Sequence, residues 1–151
     1  MSQSGLIPSD DKIMNLATFY IGDALCGMDI LGIQEINKHM EMTVVPQSPE
    51  YVMGILNLRG HIVTVIDLGK KLGLVPTRIT DKTRNIIVNS KDEHIGLVVD
   101  RICDVVEVTK DMVEMSPANI GTIQGSFFEG VFKTADSLIG ILDLEAILRE
   151  E

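Results

Sequence analysis

The fold of this chain is decided by residues 53–74, which read MGILNLRGHIVTVIDLGKKLGL. Two apolar runs, residues 53–58 and 62–66, are separated by Arg59, Gly60 and His61, and glycine supplies the positive φ that a tight two-stranded turn requires. Asp67 follows the second run as an N-cap for a short helix, which Gly73 ends. We therefore predict a β-hairpin followed by a single short helix.

The same pattern returns near the C-terminus, 76 positions later. Aligning Gly54 with Gly130 needs no gap, and among the 19 aligned pairs four are identical and six exchange one large apolar residue for another. A weaker copy at an offset of 69 pairs Gly27 with Gly96. Two related units therefore fill the chain.

The composition favours a mostly β protein built from aliphatic side chains. Of the 151 residues, 45% are hydrophobic but only 4% are aromatic. β-Branched residues are abundant, and they suit strands. In residues 62–66 and 138–142 nearly every position is apolar, so both faces of these strands must be covered. We expect two small barrels, each of about five strongly bent strands, with apolar cores within each barrel and between them.

The charge balance limits the classes of partner. Asp and Glu number 22 against 13 Lys and Arg, and the formal net charge of −9 repels nucleic acid and anionic lipid surfaces. The two cysteines lie far apart, and the N-terminus has no signal-peptide pattern. No apolar run approaches the ~18 residues of a spanning helix. These features predict a cytoplasmic protein without direct membrane insertion.

The chain divides into a tail and one duplicated domain. Residues 1–14 are polar and rich in turn formers, so we expect a flexible N-terminal tail. Residues 15–150 form the domain, with two barrel subdomains at about 15–76 and 84–150 that a polar connector joins. Because duplicated units can exchange elements, strands of one part of the chain can belong to the other barrel.

The motifs of catalysis and cofactor binding are missing from the sequence. No nucleophile elbow, phosphate-binding loop or dinucleotide fingerprint is present, so no catalytic residue and no cofactor is predicted. His39, His61 and His94 lie 22 and 33 residues apart without ligand spacing, and we expect surface histidines and no metal. The duplication places Asp67 and Asp143 symmetrically, which suits either a paired acid and base or two helix caps.

The two copies differ at the central turn. Residues 58–61 are aligned with residues 134–137, which read TADS, so the fold does not need an arginine at this corner. Arg59 is either a solvated side chain on a turn or a residue with a task outside the fold.

Asn57-Leu58-Arg59-Gly60, with the later Asp67-Leu68, resembles the signature of the CheW family of chemotaxis coupling proteins. Blocks at residues 27–36 and 95–105 resemble the family's other two blocks in order and spacing, and the likeness covers about residues 15–148. The resemblance implies two intertwined five-stranded SH3-like β-barrels packed on a shared hydrophobic core, with short helices including one at the C-terminus. It also implies a non-catalytic adaptor of two-component signal transduction. Such an adaptor joins the regulatory domain of the histidine kinase CheA to the signalling tip of methyl-accepting chemoreceptors.

The resemblance also assigns site residues one at a time. Arg59, with Gly60 shaping its turn, matches the family arginine needed for receptor and kinase coupling, and its planar fork suits carboxylates. Glu35 and Ile33 match positions on the receptor-binding face, and Val105 matches an apolar position of the groove between the barrels. This groove would receive the amphipathic hairpin tip of the receptor.

Other roles for such a domain stay open at this point. The domain also occurs at the end of the kinase itself and at the start of coupling proteins with a receiver domain. Because nothing follows Glu151, we expect a free-standing adaptor that partners recruit to membrane receptor arrays. The alternative from another class is a small-molecule-binding barrel, or a hydrolase that uses Asp67 and Asp143. A ligand pocket lined by polar side chains, in place of an apolar groove, would favour that alternative.

Overall fold

The computed structural model describes residues 13–149, which form a mostly β structure with two short helices, as predicted. The strands are β1 Ile13–Ile21, β2 Ala24–Asp29, β3 Ile33–Lys38, β4 Val52–Leu58, β5 His61–Asp67, β6 Arg84–Ser90, β7 Glu93–Val99, β8 Arg101–Thr109, β9 Val113–Glu114, β10 Asn119–Ile120, β11 Ile123–Gln124, β12 Phe128–Lys133 and β13 Leu138–Leu142. The helices α1 Leu68–Lys71 and α2 Leu144–Leu148 follow β5 and β13.

The fold begins two residues earlier than the sequence suggests. β1 starts at Ile13, inside the predicted tail of residues 1–14. Met14 is partly buried and packs against the cluster of Leu16, Val108 and Ile141. The remainder of the predicted tail, residues 1–12, lies outside the described residues.

The strands form two large sheets, and each sheet draws strands from both parts of the chain. One sheet has the order β3-β6-β7-β5-β4 and the other the order β8-β1-β2-β13-β12-β9. We refer to them as the first barrel and the second barrel. The early strands β1 and β2 lie in the second barrel, whereas β6 and β7 lie in the first. The subdomain bounds at residues 15–76 and 84–150 stay a prediction.

The duplication is visible in the pairing of the strands. Parallel pairing of β5 with β7 sets Val65 opposite Gly96, and parallel pairing of β13 with β2 sets Ile141 opposite Gly27. These two pairs are related by the offsets of 76 and 69 that the sequence shows. The two barrels are therefore copies of one pattern, and each copy is completed by strands from the other part of the chain.

Each barrel closes where the chain beyond one edge strand returns to the opposite edge. In the first barrel Thr43 exchanges two backbone hydrogen bonds with Ile55 of β4, each 2.8 Å long. Gly54 permits this approach, because a Cβ atom there would lie 2.5 Å from the Thr43 carbonyl oxygen. In the second barrel β9 pairs with β12, and a Cβ atom at the aligned Gly130 would lie 2.9 Å from the Glu114 carbonyl oxygen. The aligned glycines thus serve the same closure.

The second sheet has six strands, whereas we predicted five in each barrel. The additional strand is β9, which has two residues. It continues β8 after a single 3-10 turn at Lys110–Met112 and occupies the place that Thr43 has in the first barrel. The extra strand is therefore the closing segment of a five-stranded barrel.

The apolar core has three parts, as the strand patterning predicts. The largest cluster takes side chains from both barrels, among them Phe19 and Met28 from the second and Ile86 and Leu97 from the first. A second cluster lies inside the first barrel and consists of Val63, Val65, Ile87 and Val98. A third lies inside the second barrel and consists of Leu16, Val108 and Ile141. Each barrel is therefore filled by its own side chains and covered by its sister.

The prediction that both faces of β5 and β13 are covered holds for all but the start of each strand. Ile62 is 57% exposed, and the aligned Leu138 is 36% exposed. Ile62 and Leu138 lie next to the hairpin turns, beyond the end of the shared core. Apolar surface therefore stays open beside both hairpins.

We expect the substitution Ile141→Ala to lower the free energy of unfolding by about 2–5 kcal/mol, because it empties part of the core inside the second barrel. Ile141 is 2% exposed. Ile62→Ala is the matched control and should cost about 1 kcal/mol or less. Urea denaturation followed by circular dichroism measures both. Equal losses for the two variants would contradict this assignment of the core.

Candidate functional site

The central hairpin turns at Arg59 and Gly60, where φ is +53° and +85°. Two consecutive left-handed residues are what a two-residue type I′ turn requires. The Asn57 side-chain oxygen accepts a hydrogen bond from the Gly60 N–H at 3.0 Å and braces the turn. Glycine adopts this conformation freely, whereas arginine does so at a cost. The hairpin therefore holds Arg59 in a backbone conformation that the residue itself disfavours.

The Arg59 guanidinium forms an ion pair with Glu35 of β3. Arg59 Nη1 donates a hydrogen bond to Glu35 Oε2 at 2.5 Å. β3 and β4 lie at opposite edges of the first sheet, so the pair joins two edges that barrel closure brings together. The Arg59 side chain is 70% exposed, whereas that of Glu35 is 27% exposed. Because an exposed ion pair adds little to stability, the pair restricts the position of the guanidinium without contributing much to folding.

The ion pair shifts the pKa of both partners. The hydrogen bond from Arg59 holds the pKa of the Glu35 carboxyl below its ordinary value. The same hydrogen bond raises the pKa of the Arg59 guanidinium. Both groups are therefore charged at neutral pH, and together they add no net charge to this corner of the barrel.

A pocket of about 310 Å³ lies behind the ion pair, at the end of the first barrel. Its ionisable lining consists of Glu35, Arg59, His61 and His94. Strands β4, β5 and β6 contribute apolar side chains, which include Ile87 of the cluster inside the barrel. The pocket therefore has a charged rim and an apolar base.

His61 and His94 contact each other in this pocket, which the sequence did not predict. Their ring centroids are 4.6 Å apart, with an angle of 42° between the ring planes. His94 Nδ1 lies 3.1 Å from the Gln34 side-chain oxygen. We expected surface histidines, and His61 is exposed while His94 is partly buried. The two rings meet because β5 and β7 are parallel neighbours. Strand alternation was the available signal, since His61 lies two residues before the inward-facing Val63.

Ile33 and Val105, the apolar members of the predicted site, lie outside this pocket. A β-bulge between Ile33 and Glu35 turns their side chains to different faces of the sheet. Ile33 stands opposite Val88 and packs on the core shared by the barrels, whereas Glu35 stands opposite Ile87 and lines the pocket. Val105 lies on β8 of the second barrel and is 60% exposed. The predicted residues therefore form a polar group at the hairpin and an apolar group elsewhere.

Asp67 and Asp143 are helix caps. Asp67 is 4% exposed, and its oxygens accept hydrogen bonds from the Lys70 N–H at 3.3 Å, the Thr77 N–H at 2.9 Å and the Thr77 hydroxyl at 2.7 Å. Asp143 accepts a hydrogen bond from the Ala146 N–H at 3.2 Å. Both carboxylates complete a helix N-terminus, as one of the two interpretations predicts. The geometry gives no support to a hydrolase that uses them.

The family description CheW-like domain matches residues 15–151. The chain belongs to the CheW family. It is 32% identical over 142 residues to the chemotaxis protein CheW of Treponema pallidum, covering 91% of this chain and 84% of that protein. It is also 32% identical over 136 residues to the chemotaxis protein CheW of Bacillus subtilis, covering 90% of this chain and 87% of that protein.

A solved CheW structure has the same fold. The crystal structure of the scaffolding protein TtCheW from Thermoanaerobacter tengcongensis superposes with a TM-score of 0.84 at 33% identity, covering 93% of this chain and 95% of that one. The match confirms the two SH3-like barrels that the resemblance implied.

CheW proteins are chemotaxis scaffolds, and this chain is not an enzyme. Family membership therefore removes the hydrolase alternative. In residues 13–149, no helix has the length and apolar character needed to cross a membrane. Over the same residues, no three or more His, Cys, Asp or Glu side chains are grouped so that they could hold a metal ion.

The left-handed conformation of Arg59 makes the variants Arg59→Gly and Arg59→Ala unequal. We expect Arg59→Gly to be more stable than Arg59→Ala by about 1 kcal/mol, because glycine relieves the cost of positive φ. The aligned Ala135 does not have positive φ, so Ala135→Gly should instead lower stability. Urea unfolding curves give the comparison. A less stable Arg59→Gly variant would show that Arg59 is not held in the left-handed region.

The contact between Arg59 and Glu35 predicts how this carboxyl titrates. Its lowered pKa means that the ion pair stabilises the folded state above the pKa of the unfolded chain, and that this contribution is lost as the pH falls through the folded value. In Arg59→Ala the Glu35 titration should move to higher pH. Carboxyl ¹³C NMR measures the shift, with the other glutamates as internal controls. An unchanged Glu35 titration would mean that the ion pair does not form in solution.

Proposed function

We propose that this chain is a chemotaxis adaptor that couples methyl-accepting chemoreceptors to the regulatory domain of the histidine kinase CheA in signalling arrays. Family membership supports the general role. The observation that carries the specific one is the hairpin turn, at which the barrel holds an exposed arginine in a disfavoured conformation. Such an arrangement suits a binding residue better than a structural one, because it costs stability and returns little.

The second barrel supports a binding role for Arg59. Its hairpin turn carries Ala135 at the aligned position, and that barrel closes and packs in the same way. The arginine is therefore dispensable for the fold. Its free N–H groups can bind a carboxylate of a receptor helix through two parallel hydrogen bonds while Glu35 holds the other side.

Exposed apolar residues on the two edge strands offer a surface for the receptor tip. Ile36 of β3 is 39% exposed, and Val105, its counterpart on β8 at an offset of 69, is 60% exposed. Ile33, on the same strand as Ile36, is partly buried on the shared core. An amphipathic helix of the receptor hairpin would lay its apolar side on these residues and its acidic side toward Arg59. Through this contact the receptors would recruit the chain to membrane arrays.

Calorimetric titration with a soluble receptor signalling-tip fragment tests the site. We expect Arg59→Ala and Glu35→Ala each to raise the dissociation constant at least about tenfold, which corresponds to about 1.4 kcal/mol. Melting temperatures should stay within about two degrees of the wild type, because both side chains lie outside the apolar clusters. Arg78→Ala, which removes another exposed arginine, is the control and should bind normally.

Reconstitution with receptor and CheA tests the coupling itself. Kinase autophosphorylation in receptor-containing membranes should rise when the wild-type chain is added and should stay near its starting level with Arg59→Ala. Wild-type affinity in both site variants would refute the site. A kinase that does not respond to the wild-type chain would refute the adaptor role.

A further inference from the structure

The histidine pair in the pocket behind Arg59 is not required by the barrel fold. In the second barrel Ser137 occupies the position aligned with His61, and Leu25 the position aligned with His94. These residues line the corresponding pocket at the end of that barrel, which measures about 600 Å³. A serine and a leucine therefore satisfy the same architecture, and the imidazoles of the first barrel are available for another task.

The charges around the two imidazoles nearly cancel while both rings are neutral. Glu35 from β3 contributes one negative charge and Arg59 from the hairpin turn one positive charge. Gln34 adds a neutral amide, and the described residues of β4, β5 and β6 that line the pocket add apolar or imidazole side chains. A single proton on His61 or His94 therefore gives the pocket a net charge of about +1. Histidine is in general the side chain whose unperturbed charge change falls between pH 5 and 8.

The hydrogen bond of His94 specifies which nitrogen is open to a proton. The Gln34 side-chain oxygen can only accept, so His94 donates to it through Nδ1–H. Nε2 then carries the free lone pair. The ring centroids are 4.6 Å apart, a separation at which two positively charged rings would repel each other.

We propose that this pocket binds a carboxylate side chain from an acidic segment of the docking partner, and that the histidine pair takes up one proton as the carboxylate enters. The proposal rests on the proposed function, because it concerns the same site. An entering carboxylate is attracted by Arg59 and repelled by the like charge of Glu35, so it binds less tightly to the neutral pocket than to one that carries an additional positive charge. Once an imidazole is protonated, two cations face two carboxylates, and the charges balance. Binding is therefore coupled to proton uptake, and affinity rises as the pH falls.

The test compares the pH dependence of binding in two proteins. Titration of the receptor signalling-tip fragment at pH 6, 7 and 8 should show the wild type binding at least about fivefold more tightly at pH 6 than at pH 8, as expected when binding makes one imidazole about tenfold harder to deprotonate. The double variant His61→Ser with His94→Leu carries the residues of the second barrel. Between pH 6 and pH 8 the affinity of this double variant should change less than twofold, apart from any pH dependence that arises from ionisable groups of the fragment itself. Calorimetric titration of both proteins at pH 7, once in phosphate and once in Tris, should give a binding enthalpy that differs between the buffers for the wild type alone. Such a difference reports proton uptake on binding.

The outcomes separate this proposal from the proposed function. If Arg59→Ala weakens binding but the wild type and the double variant share the same pH dependence, the proton-linked pocket is refuted and the adaptor site stands. If Arg59→Ala binds normally at every pH, the site itself is refuted. Melting curves check that the double variant folds. Should it not fold, the single variants His61→Gln and His94→Gln carry the same comparison.

Discussion

The closure of each barrel depends on one close approach between two backbone segments. The packing inside each barrel and the position of the candidate site both depend on this closure. At Gly54 the neighbouring chain comes so near that a Cβ atom would lie 2.5 Å from the Thr43 carbonyl oxygen. Any side chain would push the two strands apart and leave their backbone hydrogen bonds unmade. Gly130 meets the same constraint in the second barrel. These two contacts turn open five-stranded sheets into barrels, which are filled by their own aliphatic side chains and covered by each other.

The candidate site is a consequence of that closure. Glu35 and Arg59 belong to opposite edges of the first sheet, and they meet only because the sheet curls until its edges face each other. The ion pair stands at the seam of the barrel, beside the turn that follows β4. A residue at a seam is positioned by the whole barrel, since every strand between the two edges contributes to the distance between them. The rigidity of a small closed sheet thus orients a side chain that is itself mostly exposed.

Sequence patterns predicted the features that depend on local chemistry. The turn at Arg59 and Gly60, the caps at Asp67 and Asp143 and the existence of two related barrels could all be read from residue types and spacing. Long-range pairing could not be read in this way. The parallel pairing of β5 with β7 brings His61 next to His94. Their separation of 33 residues in the sequence does not predict this contact. The β-bulge beside Gln34 was also not predicted, because strict alternation of side chains would place Ile33 and Glu35 on the same face of the sheet.

The duplication supplies an internal comparison that a single barrel lacks. Features that both copies keep, such as the closing glycines and the helix caps, are needed by the fold. Features found in one copy alone are free of that need, and several of them lie together in the first barrel. Arg59, His61 and His94 line one pocket, while Ala135, Ser137 and Leu25 replace them in the other copy. Although the copies differ at other positions too, these three replacements meet at one end of the first barrel, which is the place where the proposed function puts the binding site.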